Sequence, residues 1–359
     1  MFAPNFHITP AIAKALMSVE ADRQAIIELP IDIAMLASLR ETAKLTATHY
    51  STQIEGNRLT QAQVQESIAG ASFPERERDV SEVRNYYSAL EEIERLSRSS
   101  GPISEIDIQT IHGLVIDGRL APSAYRDGQN VIKDSLSGGI VYMPPEATDV
   151  PSLMSELVTW INVELEKELL PSPIIAAIAH YQYATIHPYY DGNGRTARLV
   201  TTLLLHRSGY GLKGIYNLEE YYARDLNAYY SAIAVGPSHN YYFGRAEADI
   251  TNFVSYFCEG MAQAFSAVRV QAAQAARRGA ADRSTVLRNL DPRKRRLLSL
   301  FHNQGTATGL EIASHLGLSP RTVTALCRDW IADGFLIVRD PSRKNRSYQL
   351  APKYDMLTE

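Results

Sequence analysis

A run of twelve residues, His187–Arg198, combines an imidazole, a carboxylate, two glycines and two arginines. Glycines let a backbone turn point successive N–H groups into one concavity, which favours an anion. The stretch after the turn, from Arg195 to Ser208, has the pattern of a helix, and the N-terminal end of a helix attracts phosphate. The run therefore predicts a site that binds a polyphosphate and does chemistry beside an imidazole.

Each polar position in the run suits phosphate chemistry. His187 is able to act as a general base, because an imidazole titrates near neutral pH. Asp191 offers hard oxygen ligands for Mg²⁺, which usually binds through one or two carboxylates and substrate phosphates. Gly192-Asn193-Gly194 supplies the anion-binding turn. Arg195 and Arg198 are three residues apart, so we expect both to extend from one helical face toward the same anion.

A zinc site and a Walker-type phosphate loop have less support. A hydrolytic zinc site needs three protein ligands, and no third ligand stands at a suitable local spacing from His187 and Asp191. The sequence lacks the Walker pattern Gly-x-x-x-x-Gly-Lys-Ser/Thr, so any phosphate grip depends on the Gly192–Gly194 turn. Each feature alone also fits an ordinary turn, a structural His-Pro pair or surface arginines. Their combination within twelve residues favours the nucleotide site.

The run resembles the signature of the Fic family, His-Pro-Phe-x-Asp/Glu-Gly-Asn-Gly-Arg-x-x-Arg, with Tyr189 in the phenylalanine position. In the family this aromatic residue anchors the loop in the core, which a tyrosine can do if its hydroxyl finds a partner. Doc-type relatives carry Asn-Ala-Asn-Lys at this place, so the chain is unlike that phosphorylating branch. The resemblance implies transfer of AMP from ATP to a Tyr, Thr or Ser hydroxyl of a target protein, with release of pyrophosphate.

The resemblance also implies a role for each residue of the run. His187 takes the proton from the attacking hydroxyl, and Asp191 holds Mg²⁺. Gly192-Asn193-Gly194 cradles the α and β phosphates of the ATP substrate. Arg195 and Arg198 neutralise the remaining charge, with Arg198 matched to the γ-phosphate. Positioning and charge neutralisation supply most of the rate in phosphoryl chemistry generally.

The N-terminal region contains a second candidate motif. Apolar residues recur close to a 3.6 period between Ile31 and Thr48, which predicts a helix that continues to Glu55 and ends at Gly56-Asn57. A carboxylate in the last turn of a helix faces the negative end of the helix dipole. Glu55 is therefore either a solvated surface charge or a residue that an external cation meets.

The segment Ser51-x-x-x-Glu55-Gly56 resembles the inhibitory motif of the family, Ser/Thr-x-x-x-Glu-Gly/Asn. The resemblance implies an N-terminal, intramolecular inhibitory helix that packs beside the nucleotide site. Glu55 would pair with Arg198 and occupy the cation meant for the γ-phosphate. ATP would then bind with its α-phosphorus out of line.

Two β-prone runs around a glycine-rich turn predict a hairpin within residues 126–145. It is either an ordinary surface hairpin or the flap of the family, on which a target protein docks by strand addition. We assign Ile140 and Val141 to the strand nearest the nucleotide. Tyr229 and Tyr230 stand where the family often has a Tyr-Tyr pair that lines the adenine pocket, and core packing explains such a pair equally well.

Charge is unevenly distributed along the chain. Residues 277–359 contain 15 basic and 8 acidic side chains, a net charge of +7, and the remainder has a net charge of −11. This asymmetry predicts a separate C-terminal domain with an anionic partner. Its order of helices and basic hairpin resembles a winged helix-turn-helix, a module that binds either DNA or another protein. The candidate DNA-binding residues are Arg321, Thr322, Thr324 and Arg328 on the recognition helix, and Arg343, Lys344 and Arg346 in the wing.

The sequence thus predicts a mainly α protein with a Fic-type helical core, a small β-hairpin flap and a winged helix-turn-helix domain. We place the N-terminal helical region with its inhibitory helix at residues 1–100, the catalytic core at 101–275 and the winged domain at 276–359. The 359 residues contain no run near the ~18 apolar residues of a membrane span and no signal-peptide pattern at the N-terminus. The widely separated Cys258 and Cys327 are typical of free thiols, so we expect a cytoplasmic protein.

Three functions remain open from the sequence. The leading one is a self-restrained protein adenylyltransferase with ATP as substrate and Mg²⁺ as cofactor. A nucleotide-sensing, DNA-binding regulator is an alternative that the basic C-terminus supports. A Fic enzyme that uses another donor, or that removes AMP from a modified protein with Glu55 aligning water, is the third. Homodimer formation is compatible with all three.

Overall fold

The computed structural model describes residues 2–31, 33–133, 138–342 and 346–355. The chain divides into two compact units, which we describe separately. Unit 1 comprises Met1–Leu29 and Leu36–Gln271, and unit 2 comprises Pro30–Met35 and Ala272–Glu359. In the described part of the chain, no helix combines the length and the apolar character needed to cross a membrane.

Unit 1 is mainly helical, as the sequence predicts. Its helices are α1 (Pro10–Glu28), α2 (Ile33–Ile54), α3 (Gln61–Ile68), α4 (Glu77–Ser97), α5 (Glu105–Asp117), α6 (Val150–Lys167), α7 (Ser172–Ile186), α8 (Asn193–Arg207), α9 (Glu219–Arg224), α10 (Leu226–Ile233) and α11 (Thr251–Asn289), which crosses the boundary between the units. Two short helical turns, Leu212–Gly214 and Tyr241–Arg245, complete the set.

The centre of unit 1 is a helical pair. α7 is buried on nearly every side, as expected for a helix that is apolar all round. It packs against α8, while α4 and α5 pack on α8 and α6 packs on α7. The connection between α7 and α8 contains residues 187–192, so the core of the unit holds both ends of the motif.

The predicted hairpin is present beside this pair. β1 (Ile132–Lys133) and β2 (Ile140–Tyr142) are antiparallel, with Ile132 opposite Tyr142. The buried hydroxyl of Tyr142 donates to the carbonyl of Thr185 at 2.7 Å. This bond ties the strand to the last turn of α7, just before His187.

Unit 2 contains helices, strands and a core of its own. After the end of α11 follow α12 (Pro292–Gln304), β3 (Ala307–Thr308), α13 (Gly309–Leu316), α14 (Pro320–Ala332), β4 (Leu336–Asp340), β5 (Ser347–Leu350) and α15 (Pro352–Asp355). The strands form an antiparallel sheet in the order β3-β5-β4. Leu297, Val323 and Phe335 lie in the core and are fully buried.

Most elements of unit 2 match the sequence analysis, which did not predict the two-residue β3. The side chain of Ser319 accepts the N–H of Thr322 and so caps α14. Arg321, Thr322, Thr324 and Arg328 all lie on the exposed side of α14, and Arg346 is exposed beside β5. Arg343 and Lys344 lie outside the described residues. The assignment of this unit as a winged helix-turn-helix remains a prediction.

Candidate active site

His187 stands at the point where α7 ends. Its backbone is left-handed, with φ 53° and ψ 60°, and its N–H still donates to the carbonyl of Tyr183 at 3.0 Å. A residue with a Cβ is uncommon in this conformation, and such strain concentrates at functional sites. The turn directs the chain from the buried helix into the loop that precedes α8.

The hydrogen bonding of the imidazole selects one tautomer. Nδ1 of His187 lies 3.3 Å from the carbonyl oxygen of Ala184. A carbonyl can only accept, so Nδ1 carries the proton and Nε2 carries the basic lone pair. Burial lowers the pKa of His187 to about 4, although the Ala184 carbonyl and the nearby Glu55 carboxylate oppose this effect. The side chain is therefore neutral, as a general base must be, across the physiological pH range.

The loop between His187 and α8 is tied to itself. The side chain of Asn193 is buried, and it accepts from the backbone N–H of Tyr189 at 3.0 Å and donates to its carbonyl at 2.8 Å. The ring of Tyr189 stacks on His112 of α5, with centroids 3.4 Å apart. His112 Nε2 in turn lies 2.9 Å from the carbonyl of Asp191. Three contacts thus hold the loop: the Asn193–Tyr189 hydrogen bonds, the stacking of Tyr189 on His112, and the contact of His112 with the Asp191 carbonyl.

The two glycines of the turn act in different ways. Gly192 has φ 75°, a conformation that glycine adopts readily, and it stands just before α8. Gly194 lies in the first turn of α8, and its φ is not positive. A Cβ at Gly194 would lie 2.3 Å from Oε1 of Glu55. Glycine at this position therefore leaves room for an oxygen anion over the start of the helix.

The two arginines do not converge on one anion among the described residues, contrary to the sequence-based expectation. Arg195 is buried, and its Nη2 donates to Oδ1 of Asp191 at 3.0 Å. Its Nη1 lies 3.9 Å from Oε1 of Glu82 in α4. The side chain of Asp191 is 63% exposed. An exposed carboxylate beside this turn fits the donor set that Mg²⁺ uses with nucleotides.

Arg198 faces the end of α2. Its Nε donates to Oγ of Ser51 at 2.7 Å, and its Nη2 donates to the Ser51 carbonyl at 2.9 Å and to Oε1 of Glu55 at 2.8 Å. Ser51 lies in the last turn of α2, Glu55 directly follows that helix, and both side chains contact Arg198 of α8. The guanidinium is buried, whereas the Glu55 side chain is 31% exposed. This is the contact that the resemblance of the two motifs implies.

The surroundings of Arg198 strongly favour its charged form. Burial alone would lower the pKa of Arg198, but Glu55 and the hydroxyls of Tyr229 and Tyr86 outweigh it and raise that pKa above its ordinary range. Nη1 of Arg198 is buried and finds no hydrogen-bond partner among the described residues. The guanidinium therefore keeps one donor for a further acceptor near Gly194.

Part of the chain, including the loop after α7, matches a known family. Residues 102–205, which include the loop, its two flanking helices and the hairpin, match the Fic/DOC family. The chain contains a Fic domain. A solved Fic family protein from Desulfovibrio desulfuricans has the same fold, with a TM-score of 0.60 and 24% identity over 98% of this chain and 99% of that one.

The curated relatives of this Fic domain have longer chains. Protein adenylyltransferase Fic of Drosophila willistoni is 31% identical over 206 residues, which cover 55% of this chain and 39% of that protein. Fic-1 from C. elegans matches in fold with a TM-score of 0.58 and 24% identity, over 74% of this chain and 73% of that one. This chain thus spans about two fifths of the length of the curated relatives that it matches.

Within the Fic domain, Arg126 connects the hairpin to the loop between α7 and α8. Its guanidinium is buried and donates through Nε to the carbonyl of His187 at 3.0 Å, through Nη1 to Gly128 at 3.0 Å and through Nη2 to Pro145. Its backbone N–H donates to the carbonyl of Pro188 at 3.0 Å. Arg126 thereby holds both ends of the 126–145 hairpin against the backbone of His187. No motif in the sequence marks this arginine.

The hairpin of the Fic domain presents apolar side chains to solvent. Ile140 is 49% exposed and Val141 43% exposed, although both lie in a strand. Exposed apolar residues on a short strand are typical of a surface that binds another chain by strand addition. The hairpin therefore has the character expected of a flap.

The tyrosine pair beyond the matched region has two different environments. Tyr229 is buried, and its hydroxyl lies 2.9 Å from Nε2 of His180. The ring of Tyr230 is half exposed, and its hydroxyl donates to the carbonyl of Ile54 at 3.4 Å. Tyr229 is thus a core residue, whereas Tyr230 has an exposed face. The adenine pocket at this pair stays a prediction.

Proposed function

We propose that this Fic domain transfers AMP from ATP to a hydroxyl side chain of a target protein, and that Glu55 restrains the reaction. The observation that carries the proposal is the pairing of buried Arg198 with Oε1 of Glu55 directly over Gly194. An oxygen anion occupies the place where a polyphosphate would meet the start of α8. The names of the Drosophila relatives as protein adenylyltransferases support the same activity.

In the proposed reaction the target hydroxyl oxygen attacks the α-phosphorus. A new oxygen–phosphorus bond forms, the bond from the α-phosphorus to the bridging oxygen breaks, and pyrophosphate leaves. Nε2 of His187 receives the hydroxyl proton, because Nδ1 already donates to Ala184. The backbone N–H groups at the start of α8 stabilise the negative charge that develops on the phosphate oxygens. Mg²⁺ held by Asp191 would supply further charge neutralisation.

Glu55 restrains this reaction by competing with the γ-phosphate for Arg198. While the carboxylate holds Nη2, the triphosphate lacks the cation that aligns it. Glu55 also lines a polar cavity of about 370 Å³ together with Asn57 and Glu75, so its side chain has space to move aside. Release then needs only a displacement of the carboxylate, not the unfolding of α2.

The lowered pKa of His187 predicts an unusual pH profile for AMP transfer. Because burial disfavours the imidazolium, the neutral base persists as pH falls, and we expect kcat/KM to decline only below about pH 4. The Glu55 carboxylate raises the pKa of His187, and Glu55→Gly removes it. The acid limb of the rate profile in this variant should therefore not move to a higher pH. Initial rates of that variant across pH, with circular dichroism as a check on folding, test this. An acid limb near the ordinary imidazole pKa of about 6.5 would contradict the assignment.

A second proposed function belongs to unit 2, which we infer binds duplex DNA. The exposed side of α14 presents Arg321 and Arg328, the latter with 82% of its side chain exposed, together with two threonines. Two cations on one open helix face suit contact with the phosphates and base edges of a groove. A docking surface for another protein is the alternative use of the same face.

Substitution of both arginines tests the DNA assignment. We expect Arg321→Ala/Arg328→Ala to weaken binding of mixed-sequence duplex DNA and to reduce the salt slope by about 1 for each phosphate that an arginine no longer neutralises. Fluorescence anisotropy at several salt concentrations measures both quantities. Arg119→Ala, which removes an exposed arginine of unit 1, is the control. If the wild-type protein fails to bind duplex DNA at low salt, unit 2 has another role.

A further inference from the structure

The start of the hairpin is hydrogen-bonded to consecutive residues of the loop that follows α7. The carbonyl of His187 accepts from Nε of Arg126 at 3.0 Å, and the carbonyl of Pro188 accepts from the Arg126 backbone N–H at 3.0 Å. The carbonyl of Tyr189 accepts from Nδ2 of Asn130 at 3.3 Å. These bonds fix the backbone on which the His187 imidazole stands against the first residues of the hairpin.

The two ends of the hairpin are joined to each other at the same place. The Arg126 guanidinium donates through Nη1 to the carbonyl of Gly128 at 3.0 Å and through Nη2 to the carbonyl of Pro145. Nε2 of Gln129 donates to the carbonyl of Pro144 at 3.0 Å. One guanidinium therefore connects three segments of backbone: the beginning of the hairpin, its end, and the loop after α7.

The surroundings of this guanidinium are unusual for a buried cation. Arg126 is 3% exposed, and the side-chain hydrogen bonds that it makes in the described part of the chain all end on carbonyl oxygens. Carbonyl dipoles offset the loss of hydration of a cation less than a carboxylate does, and burial lowers the pKa of Arg126. An apolar side chain would fill the space without this cost. The arginine is therefore better explained by the arrangement of carbonyls that it enforces than by stability.

We propose that Arg126 is a positioning residue that fixes the hairpin relative to the imidazole of His187. A guanidinium is planar and donates in fixed directions, so it sets the spacing of the carbonyls around it. A target segment that pairs with the hairpin would then bring its hydroxyl to one place beside Nε2 of His187. This inference rests on the proposed function, in which that nitrogen receives the hydroxyl proton.

Arg126→Met in the Glu55→Gly background tests the proposal, because it fills the space and removes every side-chain donor. We expect kcat for AMP transfer to fall about 10²-fold, the loss expected when a reacting group is misplaced by about 1 Å. KM for ATP should stay the same, since the phosphates are expected at the start of α8. Incorporation of label from α-labelled ATP into the protein itself and into a cell lysate, at several ATP concentrations, measures both constants.

Two further variants separate positioning from charge and from general loss of an arginine. Arg126→Lys keeps the charge but lacks the planar fork, so its kcat should stay low. Arg207→Met is the matched control, because Arg207 also donates to carbonyls, those of Leu96 at 3.1 Å and Gly101 at 2.9 Å, at the last residue of α8. Its kcat should equal that of Glu55→Gly. Full activity of Arg126→Lys, or a rise in KM for ATP with unchanged kcat, would overturn the proposal.

Hydrogen–deuterium exchange gives a readout that does not depend on activity. In Arg126→Met, exchange should become faster in residues 126–133 and 187–192 together, and in Arg207→Met it should change in neither segment. Unchanged exchange in either segment of Arg126→Met, or faster exchange in all helices of unit 1, would overturn the positioning role. If Glu55→Gly incorporates no label while the two segments respond together, the proposed AMP transfer fails and the positioning by Arg126 stands.

Discussion

Glu55→Gly is expected to raise the rate of AMP transfer on the order of 10- to 100-fold, the range of a typical coupling energy between two sites. The substitution removes the only carboxylate that contacts Arg198 directly among the described residues. The guanidinium is already buried and charged, so it becomes available to the γ-phosphate without rearrangement of the core. Incorporation of label from ATP labelled at the α-phosphate, into the protein itself or into a cell lysate, measures the rate.

Glu75→Gly is the matched control for this experiment. Glu75 is exposed and lines the same cavity as Glu55, but it makes no contact with Arg198. Its rate should equal that of the wild type. Equal incorporation by Glu55→Gly and wild type would show that the Glu55–Arg198 pair does not restrain the enzyme, whatever the activity of the domain.

His187→Ala has the second large expected effect, a loss of about 10²- to 10⁴-fold in kcat, which is the usual contribution of a general base. The substitution is best made in the Glu55→Gly background, because we expect that variant to have a rate high enough for a loss to be measured. ATP binding should persist, because the α8 N-terminus and Arg198 remain in place. Initial rates and calorimetric titration with ATP measure the two quantities separately.

His315→Ala serves as the control, because His315 lies in unit 2 and hydrogen-bonds Arg296 there. Retention of full AMP transfer in His187→Ala would remove the imidazole from the mechanism. Loss of ATP binding together with activity would mean that His187 shapes the loop instead of accepting a proton.

The parts of this site that could be predicted from sequence are those that depend on near neighbours. The geometry of the run from His187 to Arg198 could be predicted, because a turn and the start of a helix are local structures. The period of apolar residues before Ser51 likewise places Glu55 at a helix end. The pairing of the two segments came from resemblance, since 143 residues separate Glu55 from Arg198.

The remaining contacts could not be predicted, because they join ordinary residues across long separations. Arg126 reaches His187 over 61 residues, and Tyr86 reaches Glu219 over 133. A buried arginine or tyrosine is not marked in the sequence by a motif or a period. The need for glycine at position 194 could not be predicted either. It comes from the carboxylate of Glu55 beside it, which only the folded structure brings there.

The most direct test of the account follows the phosphates of ATP separately. Glu55→Gly is incubated with ATP labelled at the α-phosphate and, in parallel, at the γ-phosphate, and Glu55→Gly/His187→Ala is treated in the same way. We expect that the α label becomes protein-bound only when His187 is present, and that the γ label never does. Protein-bound γ label, or α label that is independent of His187, would contradict it.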